Sequence, residues 1–263
     1  MTNLEYWTER INNQGYETIE HFLTDLLKVY RTAHRNINNE IKNTLLDCMD
    51  SDGNLKITSL YERNRLKNLM DLVDYELQQL GFRMIEGLEL NLVEIFKEAY
   101  MNIAVQVLNV PEKKVATLFN ESTARTIVME NYKGASFSTR IWGTNLSPVR
   151  QQIQDSVIQT CIQGKDVRKA SEELSRIMGS SIADAKRLCI TETARIHSEA
   201  TRNTALDNGY RSFYVLSESD CCEACSDLSG IHYSLNRRDI LPAHPHCKCC
   251  MCIDVHYDGP IEE

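Results

Sequence analysis

Seven of the ten cysteines in this 263-residue chain fall between Cys221 and Cys252. They form a pattern: Cys222-x2-Cys225, a spacer, then His244-Pro-His-Cys247-Lys-Cys249. Two cysteines three apart on a knuckle can both face one ion. Two cysteines separated by one residue share a side wherever the chain is extended. The residue before a proline is pushed toward extended backbone, which stiffens His244 at the turn. The C-terminal third must therefore fold so that these donors meet. The set expected for one tetrahedral zinc is Cys222, Cys225, His244 and Cys247, with Cys249 replacing His244 if the imidazole turns away. All five cannot bind a single tetrahedral ion. Disulfides between the two clusters and inert buried thiols are the competing readings.

Little else in the composition suggests chemistry. A net charge of −8 disfavours a broad grip on nucleic acid, which needs a basic face. Residues 101–150 alone lean basic, so a local contact stays open. Met1 to Arg10 lacks the basic-then-apolar pattern of a secretory leader. No apolar run approaches the roughly 18 residues of a membrane span. The expected setting is a reducing cytoplasm, where clustered cysteines read as metal ligands before disulfides. The chain contains no P-loop, dinucleotide fingerprint, HExxH or nucleophile elbow.

The 11 glycines and 5 prolines are sparse for this length and favour long helices over turn-rich β structure. Apolar spacing predicts a helix over residues 18–50 and a turn at Ser51-Asp-Gly-Asn54. Ser59-Leu-Tyr-Glu62 has the form of a capping box, opening a helix that Gly81 would stop. Further helices are expected over 88–108, after Pro111, and over 121–132. Lys133-Gly-Ala-Ser136 reads as a break and residues 137–142 as extended or an entry loop. Ser147-Pro148 then opens a helix ending at Gly164. Asp166 caps the next, with a stop at Gly179, and Ser181 caps one running to Gly209. Aromatic and β-branched residues 210–216 predict a strand, and residues 230–233 and 249–257 short partners. The expected fold class is mainly α, with long helices followed by a small C-terminal α+β module carrying a zinc-knuckle-like β segment. The expected division is a helical, partner-binding region over 1–135 and a second region over 136–263.

Glu192, Arg195, Glu199 and Arg202 share a helix face at i, i+3 and i+7 spacing. The plain reading is a solvated ion-pair face. The alternative is a buried Glu192 acting as a structural polar group that ties the knuckle or the preceding helices.

The order of these features resembles the Mu F-like minor head protein family of tailed bacteriophages. It runs from Ile141-Trp142 and a helix ending at Gly164 to a helix carrying Thr191-Glu192-Thr193, Ala200 and Gly209. An aromatic strand follows, then Cys222-x2-Cys225 with Leu228 and Gly230, then Pro242-x-His244-Pro245-x-Cys247-Lys248-Cys249. The chain departs from the family pattern at Ile190, Ser219, Leu241 and Lys248, and each departure leaves the metal donors in place. Residues 138–252 carry the likeness. Tyr6-Trp7-Thr-Glu-Arg10 is more loosely similar to minor head proteins of phages of Gram-positive bacteria.

The resemblance implies a non-enzymatic virion protein at the portal vertex or inner head, made in the host cytoplasm and active in head morphogenesis. Its implied partners are the portal and major capsid proteins, with a contact to packaged DNA and a role in DNA delivery both open. The rival classes are a metal-dependent hydrolase, which needs an open zinc position and a carboxylate such as Glu192 nearby, and a DNA-binding zinc module.

Overall fold

The computed structural model describes residues 3–9, 17–219, 221–245, 247 and 249–263. Arg10 and Lys248 of the motifs above lie outside these. The described chain is mainly helical and ends in a small antiparallel sheet, as the sequence predicts. Its helices are α1 (Asn3–Glu9), α2 (Glu17–Leu46), α3 (Ile57–Tyr61), α4 (Arg65–Asn102), α5 (Glu112–Leu118), α6 (Glu121–Met129), α7 (Phe137–Arg140), α8 (Ser147–Ile162), α9 (Val167–Asp207) and α10 (Glu223–Ser226). The strands are β1 (Ser212–Leu216), β2 (His232–Ser234) and β3 (Cys250–Cys252). No described helix is long and apolar enough to cross a membrane.

The chain forms two compact units that interleave along the sequence. One contains the chain up to Phe22, Gly87–Ser136 and Arg187–Glu263; the other contains Leu23–Glu86 and Phe137–Lys186. Neither coincides with residues 1–135 or 136–263.

In the second unit, Leu26, Tyr30, Ala33, Ile37, Ile41 and Leu45 of α2 are buried at helical spacing. α4 buries Leu69, Val73, Leu77, Leu80 and Met84. Two expected glycine stops are absent here. α4 continues through Gly81 and α9 through Gly179. A mid-helix glycine costs only about 1 kcal/mol, which apolar packing outweighs. Gly81 also has a use: a Cβ there would lie 2.6 Å from Cζ3 of Trp142. Gly81→Ala is expected to push the half-exposed indole outward and lower stability, because an overpacking cost of about 1–3 kcal/mol exceeds the helix-propensity gain. A red shift in tryptophan emission with a lower thermal midpoint is the expected readout. Unchanged emission with a higher midpoint contradicts it.

Other local expectations fail for identifiable reasons. Ser59 lies inside α3, so it caps nothing; positive φ at Arg63 and Asn64 instead breaks the chain before α4. Residues 137–142 are helical rather than extended, passing into a π-helical segment, Ile141–Leu146. Ser147 is already helical, so Pro148 enters a continuing helix. Ser181 is not a cap. Its hydroxyl lies 3.0 Å from Tyr30 Oη and pairs with Asn145 in a buried polar knot. Asp166 does cap α9, accepting from the Arg168 N–H at 2.9 Å.

The first unit holds the C-terminal module. The second half of α9 ends at Gly209, whose φ of +82° closes the helix. The N–H groups of Gly209 and Tyr210 bond back to the carbonyls of Leu206 and Ala205 at 3.1 and 3.0 Å. The chain then enters β1, the central strand of the order β2-β1-β3. Phe213 and Val215 point inward with no exposure. Phe213 pairs with Tyr233 and Val215 with Met251.

Candidate metal centre

The donors come from separate segments around this sheet. Cys222 precedes α10 and Cys225 lies within it. The N–H groups of Cys225 and Ser226 both bond to the Cys222 carbonyl at 3.0 Å, and Ser217 Oγ donates to the Cys225 carbonyl at 2.7 Å. This knuckle places both sulfurs on one side. His244 follows Pro242-Ala243, and the Cys247 N–H returns to the His244 carbonyl at 3.1 Å. Cys247 and Cys249 then lead into β3.

The structure gathers the five sequence-predicted ligands into two overlapping groups of three, not into the single set of four. Cys222, Cys225 and His244 form one group with donor atoms mutually within 4.8 Å; Cys225, Cys247 and Cys249 form a second. Cys225 belongs to both. His244 Nε2 lies 3.3 Å from Cys222 Sγ and 3.2 Å from Cys225 Sγ, and the Cys225 and Cys247 sulfurs are 3.7 Å apart. A tetrahedron with sulfur bonds of about 2.3 Å and nitrogen bonds of about 2.0 Å has edges of about 3.8 Å (S–S) and 3.5 Å (S–N). The Cys225–Cys247 spacing matches the S–S edge, and the two spacings to His244 fall slightly inside the S–N edge. His244 Nδ1 lies 2.8 Å from the Pro245 carbonyl, which can only accept. Nδ1 therefore carries the proton and Nε2 presents its lone pair to the sulfurs. The cluster can hold a metal ion. All ten cysteines are free thiols.

Local hydrogen bonds divide the thiols into two kinds. The Cys225 N–H stabilises the Cys222 thiolate and lowers its pKa. A hydrogen bond from Cys249 lowers that of Cys247. The same bond, with burial, raises Cys249, and burial pushes Cys225 up to about 12. A bound metal needs thiolates, so it must displace protons. At neutral pH, Cys225 is protonated in the metal-free chain, so at least one proton should leave per ion bound. Apparent affinity should accordingly rise with pH. Calorimetry in buffers of different ionisation enthalpy measures the release; zero protons released contradicts the assignment.

The Glu192 face is not solvated. Glu192, Arg195, Glu199 and Arg202 are all buried, the first two with side chains only 1% and 2% exposed. Arg195 Nε donates to Glu192 at 2.7 Å, and its other nitrogens donate to the Ile127 and Val128 carbonyls at 3.0 and 2.9 Å. These are carbonyls at the end of α6, so the guanidinium also caps that helix. Arg238 joins Glu199 at 2.9 Å and Glu130 at 2.7 Å. Two residues that the sequence did not flag reach the metal arm. Tyr132 Oη donates to the Pro242 carbonyl at 2.9 Å, and Lys133 Nζ donates to the carbonyls of Pro242 and Ala243 at 3.0 and 3.3 Å. Their only sequence signal is the adjoining Lys133-Gly134 turn.

Fold and site together define a mainly α protein whose small C-terminal sheet supports a Cys/His cluster able to hold a metal ion. Comparison with protein-family models, curated proteins and solved structures finds no match.

Proposed function

We propose that the chain is a structural minor head protein of a tailed bacteriophage. It acts in head morphogenesis at the portal vertex or inner head, with structural zinc in the Cys/His centre. The observation that carries this reading is the centre itself. Its five donors, in the order of the Mu F-like motif, gather as two groups of three that share Cys225, more than the four a tetrahedral ion takes. A catalytic zinc keeps one position open for water, and a surplus of protein donors works against that. The buried engagement of Glu192 by Arg195 likewise removes the carboxylate a hydrolase would need. The chain works by recognition: its helices bind portal and major capsid protein, and the metal stiffens the C-terminal module. It resides in the phage head and, during assembly, in the host cytoplasm.

Co-purification from an infected lysate tests the reading. The tagged chain is expected to bring down portal and major capsid proteins and to appear in purified heads. Its absence from heads, together with metal-dependent hydrolysis by the purified chain, would reverse the assignment.

A further inference from the structure

The metal centre has more donors than it needs, so something must choose among them. His244 sits on an arm whose two preceding peptide oxygens are both gripped. The Pro242 carbonyl accepts from Tyr132 Oη at 2.9 Å and Lys133 Nζ at 3.0 Å; the Ala243 carbonyl accepts from Lys133 at 3.3 Å. The grip has its own support. Tyr132 and Ala135 exchange backbone hydrogen bonds at 3.0 and 3.3 Å across a turn in which Lys133 and Gly134 both have positive φ, +46° and +90°. Two successive positive φ values fit a tight type I′ turn. The Tyr132 ring lies 5.3 Å from Lys133 Nζ and 5.9 Å from the Arg195 guanidinium carbon. Arg195 is fixed by the buried Glu192 and the end of α6. Cys249 is the competing donor, buried beside Cys225 and Cys247.

We propose that Tyr132 and Lys133 clamp the backbone before His244 so that the imidazole, rather than Cys249, completes the metal centre. The Glu192–Arg195 pair positions the clamp. The proposal rests on the metal-centre reading above. With the arm free, His244 could swing out and Cys249 take its place at the cost only of contacts local to the turn, the Nδ1 contact to the Pro245 carbonyl and the Cys247 N–H bond to the His244 carbonyl. With the arm clamped, an exchange that moves this backbone breaks hydrogen bonds to the Pro242 and Ala243 carbonyls, each biasing the choice by roughly threefold to tenfold. Tyr132 and Lys133 are positioning residues: they act through His244 and touch no metal. The same logic gives the buried charge pair a role beyond α6, since loss of Arg195 would remove one of the contacts to the ring that carries the Pro242 bond.

X-ray absorption at the zinc edge, on the full zinc-loaded chain, tests the clamp. The unaltered chain is expected to show three sulfurs near about 2.3 Å and one nitrogen near about 2.0 Å. The Tyr132→Phe/Lys133→Met double variant is expected to show four sulfurs, with zinc affinity about tenfold lower against a chromophoric chelator, in the range of losses for contacts behind metal ligands. Lys133→Arg should keep the nitrogen. Cys249→Ser should leave affinity within about twofold in the unaltered chain but cost about tenfold in the double variant. If the double variant does not fold, Tyr132→Phe alone, lacking one hydroxyl, is expected to give a mixed shell. Four sulfurs in the unaltered chain, or an unchanged shell and affinity in the clamp variants, overturns the clamp while leaving the metal centre standing. A chain that binds no zinc overturns both.

Discussion

Cys225→Ser is expected to abolish metal binding outright, whereas Cys249→Ser is expected to leave it nearly intact. Cys225 is the donor common to both groups of the cluster, so neither choice of ligands survives its loss. Structural zinc in small modules supplies about 10–16 kcal/mol of apparent binding free energy, much of which acts as folding energy. Losing it should loosen residues 210–257, where the strands are only three to five residues long. The long helices bury their own apolar faces, so far-UV circular dichroism should change little. Metal content by mass spectrometry and amide exchange over the sheet measure the two halves of this expectation. Stoichiometric zinc in Cys225→Ser would move the centre elsewhere.

Glu192→Ala is the second large effect. It leaves the Arg195 guanidinium buried without its carboxylate, a change that costs about 3–5 kcal/mol. For a chain of this size that corresponds to a fall in thermal midpoint of roughly 6–20 °C. The Arg125–Glu89 pair provides the contrast, since its arginine side chain is 45% exposed. Glu89→Ala should cost less than about 1 kcal/mol. Equal effects of the two substitutions would mean that the Glu192 pair is solvated after all.

The two pairs also show what the sequence could and could not convey. Spacing alone put Glu192 and Arg195 on one face of a helix. It could not show that the face is buried, because the groups that make burial tolerable are the carbonyls of Ile127 and Val128, far away in the chain. The metal donors were legible because their geometry is local: a three-residue knuckle, a proline-stiffened turn and an alternating cysteine pair. The clamp was not, because any tyrosine and lysine beside a glycine turn look alike until the Pro242 arm is laid against them. Helix content and the strand order of appearance were likewise readable from apolar period. Helix ends were less so. Gly209 ended α9 as expected, yet Gly81 and Gly179 did not end theirs, since a glycine signals a stop only where the apolar face on its far side also stops.

The small sheet is closed along one side in a way that bears on self-association. β2 is an edge strand, and its outward backbone is occupied by Glu262: the Ser234 N–H donates to the Glu262 carbonyl, and the Glu262 N–H to the His232 carbonyl, both at 2.8 Å. An unpaired edge is a template on which another copy can add a strand. Here a short stretch of the chain's own tail takes that place. Trimming residues 260–263 would expose a row of donors and acceptors beside an aromatic strand, so the trimmed chain should be the form that clumps on concentration.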